Sequence, residues 1–241
     1  MLKRKINIDQ EKALLGEDRF DKPLEIHKFI AERIIKAAKP GRSITRLLDI
    51  GCGTGEFIYY MRSLLPGSEF TGIDLSARVL KRAAAKMPDV DFVVADMVKL
   101  PKSIKDKRYD FIVMCGVIGF FDDAVGVLKG ALPLLKKKGK IFVLGPFNRY
   151  PVDVIMKYKL SGDNRVKSGW NIISKETCYR AFRGIKGLKV RFDDFYMPLK
   201  LAKKKASPMR SWTMVTEDNH YQLTNGACQL INLSLMIITK G

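Results

Sequence analysis

Apolar residues fall along the chain in two alternating patterns. Short continuous runs, which are typical of buried strands, lie at 47–50, 70–74, 90–95, 109–114 and 140–144. Around them apolar residues recur at helical spacing, in 56–65, 77–86 and 128–138. Strands that alternate with helices in this way predict a parallel sheet with right-handed crossovers, so the pattern indicates an α/β fold.

The region before the first run has the pattern of one amphipathic helix. Residues 22–38 carry apolar side chains at helical spacing, after Asp21 as a capping residue and with Pro23 in the first turn. Pro40-Gly41 is expected to end this helix, because neither residue continues a helix well. Such a helix would pack beside the sheet.

The C-terminal part predicts a less regular set of elements. A short helix is expected at 152–160, and Ser174 is expected to begin a helix that reaches Phe182. Alternating patterns predict a sixth strand at 188–196 and a last strand at 228–239. The insertion 197–227 either recognises a ligand or forms a surface hairpin of Trp212–Thr216 and His220–Thr224, and the two interpretations are compatible.

The turn after the first strand holds the most specific motif, Asp49-Ile-Gly51-Cys-Gly53-Thr-Gly55. A glycine-rich turn between a buried strand and a helix brings backbone N–H groups close to a polar ligand. The third glycine falls one place too early for the dinucleotide pattern G-x-G-x-x-G, and no Gly-Lys-Ser/Thr follows as in a P-loop. Asp49 would repel phosphate, so the turn favours a cationic or amine-bearing ligand.

The segment "LLDIGCGTGEF" resembles the first motif of the class I S-adenosylmethionine-dependent methyltransferases, a strand followed by (Asp/Glu)-x-Gly-x-Gly-x-Gly. The resemblance extends over about residues 46–145. It implies S-adenosylmethionine as the cofactor and a Rossmann-like three-layer sandwich. It also implies a seven-stranded, mostly parallel sheet whose last strand is antiparallel and lies between the fifth and sixth.

The resemblance also implies a set of cofactor-binding residues. Asp74 ends the second strand, where a ribose-binding acid belongs in such a fold, and Leu75 follows it. Asp96 and Met97 come after the third strand and correspond to the residues that hold and flank the adenine. The remaining implied members lie in the turn and after the fourth strand: Asp49, Gly51, Cys52, Gly53, Gly55 and Cys115.

Composition places few further limits on the protein. The 241 residues are 46% apolar and 29% charged, which is typical of one globular domain. The basic start, Met1–Lys5, has no apolar run after it, and the uncharged stretch 223–239 contains Asn225, Gln229 and Asn232. We therefore predict neither a secretory signal nor a membrane span, and a cytoplasmic location. The four cysteines at 52, 115, 178 and 228 have no C-x-x-C pair, so reduced thiols and no metal site are expected.

The net charge of +19 is unusual and uneven, with +6 in residues 1–120 and +13 in residues 121–241. Local clusters are Lys136–Lys140 and Lys203–Lys205. Such a field attracts an anionic substrate or nucleic acid, whereas a merely solvated basic surface is the simpler interpretation. Nucleic acid stays open as a partner but is not favoured, because the clusters are short and no RNA-binding module accompanies them.

We expect one domain over residues 1–241. Residues 1–45 would form an N-terminal helical cap, 46–145 the cofactor-binding half, and 146–241 the substrate-side half with insertions at 146–173 and 197–227. Ligands in open α/β sheets bind beyond the carboxyl ends of the strands, where these insertions emerge. Candidate substrate-binding residues there are Asn148, Tyr150, Trp170 and Arg210.

The sequence favours methyl transfer to an oxygen or nitrogen atom of a small molecule, with an anionic acceptor suggested by the charge. A hydroxyl acceptor would benefit from a general base, for which His220, His27 and Asp153 are candidates. The chain has Cys115-Gly-Val-Ile where the branch of the family that methylates the exocyclic amines of bases or a glutamine amide has Asn/Asp-Pro-Pro-Tyr/Phe, which argues against that branch. The alternatives are an RNA methyltransferase of another branch and a non-catalytic, cofactor-binding regulatory protein. The acceptor and the oligomeric state are not specified by the sequence.

Overall fold

A twisted sheet forms the centre of the computed structural model, which describes residues 8–38, 44–205 and 207–241. Its seven main strands run in the order β3-β2-β1-β4-β5-β12-β9, and β8 pairs with the end of β5. The strands are β1 Arg46–Ile50, β2 Glu69–Asp74, β3 Asp91–Val94, β4 Tyr109–Cys115, β5 Leu135–Asn148, β6 Lys157–Tyr158, β7 Lys167–Ser168, β8 Ile173–Ser174, β9 Leu188–Phe195, β10 Trp212–Val215, β11 Tyr221–Thr224 and β12 Leu233–Lys240.

Strand directions confirm the predicted Rossmann-like sheet. The pairs β1–β2, β1–β4, β2–β3 and β4–β5 are parallel. Strand β12 is antiparallel to both of its neighbours, β5 and β9. The last strand therefore lies between the fifth and sixth main strands, as predicted.

Helices cover both faces of the sheet. They are α1 Ile8–Leu15, α2 Glu25–Ala37, α3 Glu56–Leu64, α4 Ala77–Lys86, α5 Lys102–Lys105, α6 Ala124–Ala131 and α7 Lys175–Phe182. Successive strand residues point to opposite faces, so Leu47 packs in one core layer and Leu48 in the other. The first layer includes side chains of α2, α3 and α4, and the second includes side chains of α5, α6 and α7.

Several local predictions are confirmed. As predicted, Ser174 begins α7, where its side chain caps the helix by accepting a hydrogen bond from the Thr177 N–H. Ser76 caps α4 in the same way, through the Val79 N–H. The predicted surface hairpin also exists, with β10 and β11 paired antiparallel. Within the described residues, none of the helices is both long and apolar enough to cross a membrane.

The predicted helix at 128–138 is wrong in its position. Helix α6 ends at Ala131 and a 3-10 turn over Leu132–Leu134 follows. Pro133 cannot supply the N–H that a continuing helix requires. Strand β5 already begins at Leu135, and its register with β4 shifts between Tyr109 and Phe111. Lys136–Lys138 therefore lie in an irregular strand rather than in a helix.

The predicted helix at 152–160 and the start of the last strand are also wrong. Val154 forms an antiparallel bridge with Ile172, and β6 pairs with β7, so this segment is extended. Cys228 has a positive φ of 56°, which interrupts regular strand geometry, and β12 begins only at Leu233. Val154 is held by a partner 18 residues away in sequence, whereas the Cys228 N–H donates to the Asn225 carbonyl in a local turn.

The N-terminal helix begins later than predicted. The residue before α2 is Leu24, which makes no side-chain capping bond, so Asp21 is not its cap and Pro23 lies outside the helix. The expected stop at Pro40-Gly41 and the basic segment Met1–Lys5 lie outside the described residues. Helix α1 was not predicted at all.

Candidate active site

The glycine-rich turn leaves the carboxyl end of β1 and is fastened to the neighbouring strand. The N–H groups of Gly51 and Cys52 both donate to the Ile73 carbonyl, at 2.8 and 3.1 Å. Gly51, Gly53 and Gly55 have positive φ angles of 74°, 55° and 81°. This conformation is easy only for glycine, which explains why the turn needs three of them.

Asp74 at the end of β2 is bonded directly to this turn. Its Oδ2 accepts a hydrogen bond from the Gly53 N–H at 3.0 Å, and its Oδ1 accepts one from the Ser76 N–H at 2.9 Å. Burial raises the pKa of the Asp74 carboxyl, while these hydrogen bonds oppose the rise. A carboxylate can accept about four hydrogen bonds, so acceptor capacity remains for a ligand with two hydroxyl groups.

Asp49 is the most deeply buried acid of the site, with 2% of its surface exposed. Burial and the nearby charge of Asp74 raise the pKa of Asp49 to about 8. Within the described residues no lysine, arginine or histidine forms an ion pair with it. A buried carboxyl in this state fits a ligand that brings its own positive charge.

Asp96 lies at the same edge of the sheet. The Ala95 N–H donates to the Asp74 carbonyl at 3.0 Å, which places the residues after β3 beside the end of β2. One oxygen of Asp96 accepts a hydrogen bond from the Val98 N–H, and the other is available to a ligand. Leu75 is half-buried, whereas Met97 is buried in the core layer of α6.

Of the two cysteines of the predicted site, Cys52 is buried and Cys115 is half-buried, and neither has the character of a nucleophile. Burial, with the charge of Asp49, raises the pKa of both Cys52 and Cys115 well above the usual range. Cys52 packs against Gly72, where an added Cβ would come within 2.8 Å of its sulfur. Thiolate chemistry is therefore not expected from either residue.

Helix α1 lies over the glycine turn, which the sequence did not predict. A Cβ on Gly53 would come within 3.3 Å of the Leu14 side chain. Oε2 of Glu11 accepts a hydrogen bond from the Ser76 hydroxyl at 2.6 Å, and Arg82 donates to the Leu15 carbonyl at 2.7 Å. These contacts hold α1 against the first turn of α4.

The three candidate bases have different environments. His27 is buried in the first turn of α2 against the Phe57 ring, 5.5 Å away between centroids, and its Nδ1 has no hydrogen-bond partner. Burial lowers the pKa of His27 to about 4, assisted by the charge of Arg19. His220 is exposed in the hairpin turn. Asp153 accepts hydrogen bonds from the Ser174 N–H and the Thr177 hydroxyl, so it stabilises the start of α7.

The predicted substrate residues lie at the carboxyl edge but have different roles. Asn148 shapes a turn, since its Nδ2 donates to the Val152 carbonyl and its Oδ1 accepts from the Tyr150 N–H. Tyr150 is 75% exposed. Trp170 is half-buried, and its carbonyl accepts a hydrogen bond from Gln229. Arg210 forms an ion pair with Glu17.

A charged cluster joins three segments beside the turn, and the sequence reasoning missed it. Glu17 forms ion pairs with Arg19, Lys204 and Arg210. Glu56 follows the turn directly and is 7% exposed. Burial raises the pKa of the Glu56 carboxyl, and the positive charge of Arg19 opposes that rise. The position of Glu56 directly after Gly55 was the only sequence signal.

The two lysine clusters do not line one groove. Lys136–Lys140 lie at the start of β5, and the Lys136 ammonium is 2.7 Å from the carboxylate of Asp110 at the start of β4. This is the amino edge of the parallel strands, opposite the glycine turn. Lys204 instead binds Glu17 beside the turn, with 2.9 Å between Nζ and Oε1.

Comparisons with known proteins agree with this geometry. Residues 48–141 match a family model described as a methyltransferase domain. The chain is 31% identical over 99 residues to the demethylmenaquinone methyltransferase of Thermotoga maritima, with 41% of this chain and 42% of the relative covered. It is 32% identical over 120 residues to the malonyl-[acyl-carrier protein] O-methyltransferase of Magnetococcus marinus, with 46% and 41% covered. The chain thus spans less than half the length of these relatives.

The fold extends the similarity to nearly the whole chain. The plantazolicin methyltransferase BpumL, solved with a triazolic desmethylPZN analog and SAH, superposes with a TM-score of 0.62. The superposition covers 98% of this chain and 92% of that one at 14% identity. The two proteins therefore share a fold.

Proposed function

We propose that this chain, which belongs to the class I S-adenosylmethionine-dependent methyltransferase superfamily, transfers a methyl group to an oxygen or nitrogen atom of a small, anionic acceptor. The observation that carries the proposal is the bond from the Gly53 N–H to Asp74, with the uncompensated Asp49 carboxyl beside it. The turn, a hydroxyl-binding acid and an acid suited to a cation thus lie together.

The residues of the site fit the cofactor, S-adenosylmethionine. Asp74 would accept hydrogen bonds from the ribose hydroxyls, and Asp96 would accept one from the adenine amino group. Asp49 would lie towards the cationic part of the cofactor. In the free protein burial favours the protonated carboxyl, and the positive charge of the bound cofactor would stabilise the carboxylate instead. The side chain of Leu14 must turn away from Gly53 to admit the ligand.

When bound, the cofactor supplies a methyl group on a sulfonium, which is a good leaving group. The protein then has to orient the acceptor and exclude water, since such a displacement requires no fixed set of catalytic groups. Residues 46–145 would bind the cofactor and residues 146–241 the acceptor. Helix α1 and the cluster around Glu17 would close the site against solvent.

Among the candidate bases we propose His27 for an acceptor that carries a hydroxyl group, because within the described residues its Nδ1 has no hydrogen-bond partner and its ring lies against Phe57, two residues after the glycine turn. Its lowered pKa keeps the imidazole neutral at pH 7, and the lone pair of the neutral ring can take a proton. His220 is exposed and Asp153 is engaged with α7, so neither is proposed as the base.

An anionic acceptor is supported by charge and by one relative. The net charge of +19 attracts acidic molecules towards the protein. The relative from Magnetococcus marinus is named for O-methylation of a malonyl group, which carries a carboxyl. The RNA alternative lacks the continuous basic groove that it requires, because Lys136–Lys140 lie at the opposite edge of the sheet.

The test is transfer of labelled methyl groups from S-adenosylmethionine. Acceptors would be 1,4-dihydroxy-2-naphthoate, a malonyl thioester, a small-molecule extract and total RNA. We expect label in an acidic small molecule. At limiting S-adenosylmethionine the label should be strongly reduced in Asp74→Ala and retained in Asp91→Ala, whose carboxylate is exposed and paired with Lys107. Label in RNA alone, on carbon, or in no acceptor would overturn the proposal.

A further inference from the structure

Trp170 has a backbone conformation that is unusual for its residue type. Its φ is 58°, in the left-handed region, which is strained for a bulky side chain. The preceding Gly169 has a φ of 149°, and a Cβ there would come within 3.0 Å of the Phe120 ring. Residues held in such conformations cluster at functional sites, where the surrounding structure enforces them.

One restraint on Trp170 comes from the segment before β12. Gln229 Nε2 donates a hydrogen bond to the Trp170 carbonyl at 3.0 Å. The Gln229 amide is oriented in turn by Asn225, whose Nδ2 donates to Gln229 Oε1 at 2.9 Å. Asn225 is only 1% exposed, so its side chain is held in place and in turn fixes the orientation of the Gln229 amide.

A second restraint comes from the loop after β4. The Asn171 N–H donates to the Gly119 carbonyl at 2.9 Å. The Asn171 side chain is 6% exposed; its Oδ1 accepts from the Met156 N–H, and its Nδ2 donates to the Phe121 carbonyl and to Asp122. The peptide group that follows the strained residue is therefore fixed at its carbonyl and at its N–H, by two different segments of the carboxyl edge.

The indole itself is free to contact a ligand. Trp170 is half-buried, and in the described part of the chain its ring stacks on no other ring and its N–H donates no hydrogen bond. The other tryptophan, Trp212, has the Lys203 ammonium 4.6 Å from its ring centroid. Through the bond from the Asn171 N–H to the Gly119 carbonyl, Trp170 is held beside the loop that begins after Cys115. Cys115 in turn lies close enough to Asp49 for the charge of that carboxylate to raise the pKa of the Cys115 thiol.

We infer that Asn171 and Gln229 are positioning residues that hold the strained Trp170 in place, and that its indole forms one wall of the acceptor site. An indole face contacts flat, apolar groups well, so the preferred acceptor carries a planar ring beside its acidic group. The inference rests on the proposed function for the identity of the ligand. The strain and the restraints do not depend on that function.

The strain is tested by stability. Trp170→Gly and Trp170→Ala both remove the indole, but only glycine relaxes a positive φ. We expect Trp170→Gly to melt about 2–4 °C above Trp170→Ala. Lys138→Gly and Lys138→Ala form the control pair, since Lys138 has a φ of 66° at the amino edge. If the Lys138 pair shows the difference and the Trp170 pair does not, the strain is refuted.

The positioning role is tested by fluorescence. The chain has two tryptophans, so Trp212→Phe leaves Trp170 as the only one. In that background Asn171→Ala and Gln229→Ala should each increase acrylamide quenching at least about twofold, because the indole is released. Gln222→Ala is the matched control, because the Gln222 amide also donates to backbone carbonyls of the C-terminal part of the chain, those of Leu223 and Ile231. Unchanged quenching, or an equal increase in Gln222→Ala, would overturn the role.

The acceptor wall is tested by kinetics with two acids of different shape. Trp170→Gly and Gln229→Ala should raise the KM for 1,4-dihydroxy-2-naphthoate at least about tenfold and that for a malonyl thioester less than about twofold. Binding of S-adenosylhomocysteine should stay within about twofold of wild type. Equal effects on both acceptors would refute the wall. Should wild type methylate neither acid and no component of the small-molecule extract, the proposed function and the acceptor wall both fail, and melting and quenching still decide the positioning role.

Discussion

Gly53 and Asp74 are joined by a hydrogen bond of 3.0 Å between the glycine N–H and the carboxylate Oδ2. The bond connects the turn after β1 to the end of β2, two points separated by 21 residues along the chain. It orients the carboxylate and fixes the turn at the same time.

Replacement of Asp74 should weaken cofactor binding. Asp74→Ala removes the acceptor for the ribose hydroxyls, and loss of such charged hydrogen bonds costs about 1.5–3 kcal/mol, or roughly 10- to 150-fold in Kd. Calorimetry with S-adenosylhomocysteine measures this directly. Asp91→Ala serves as the control because Asp91 lies at the exposed start of β3. Unchanged affinity in Asp74→Ala would contradict the assignment.

A side chain at Gly53 should abolish cofactor binding. Valine there would fill the space between the turn and Leu14 and would also adopt a strained φ of 55°. The control for strain alone is Gly184→Val, since Gly184 has a φ of 81° with open space around it. Titration with S-adenosylhomocysteine should show no binding to Gly53→Val and normal binding to Gly184→Val. Retained binding in Gly53→Val would place the ligand elsewhere.

Cofactor binding should release a proton from Asp49 near pH 7. The pKa of Asp49 in the free protein is about 8, so the group holds a proton that a cationic ligand displaces. Calorimetric heats should therefore differ between buffers of different ionisation enthalpy, by up to about one proton per cofactor. Asp49→Asn should remove the buffer dependence. A wild-type heat that is identical in all buffers would contradict the prediction.

His27 should make the protein less stable in acid. Its pKa is about 4 in the folded protein and near 6.5 in the unfolded chain. Between these values the unfolded chain binds a proton that the folded protein does not, so the free energy of unfolding falls as the pH drops from 6.5 to 4, by about 3 kcal/mol. His27→Phe should flatten this loss in urea titrations, whereas exposed His220→Gln should not. If His27→Phe loses as much free energy of unfolding in acid as wild type does, the loss comes from other groups.

Release of α1 should accelerate exchange of the cofactor. Arg82 holds the end of this helix by donating to the Leu15 carbonyl. Arg82→Ala should therefore raise the dissociation rate of S-adenosylhomocysteine several-fold in stopped-flow measurements, with a smaller change in the association rate. Arg180→Ala on the distant helix α7, where Arg180 pairs with Glu176, is the control. An unaltered dissociation rate would mean that α1 does not limit exit.

The sheet and the acids of the site were predictable because their signals are local. Asp74 ends an apolar run, and the glycine turn is recognised from the spacing of its three glycines. Because both lie at the carboxyl ends of strands that are parallel neighbours, the sequence also predicts that they lie close together. Helix α1 could not be predicted in the same way. Its eight residues depend on Glu11 and Arg82 contacting partners about 65 residues apart in sequence. The irregular start of β5 and the restraints on Trp170 likewise depend on contacts between distant segments.

If the methyl donor binds beside Gly53 as proposed, it and the Leu14 side chain of α1 compete for one volume. The donor would then enter only when Leu14 turns away, and the spent product would leave by the same movement. Each round of catalysis would then include one opening and one closing movement. The rate of that movement would depend on the hydrogen bonds that hold α1, which do not touch the reacting atoms.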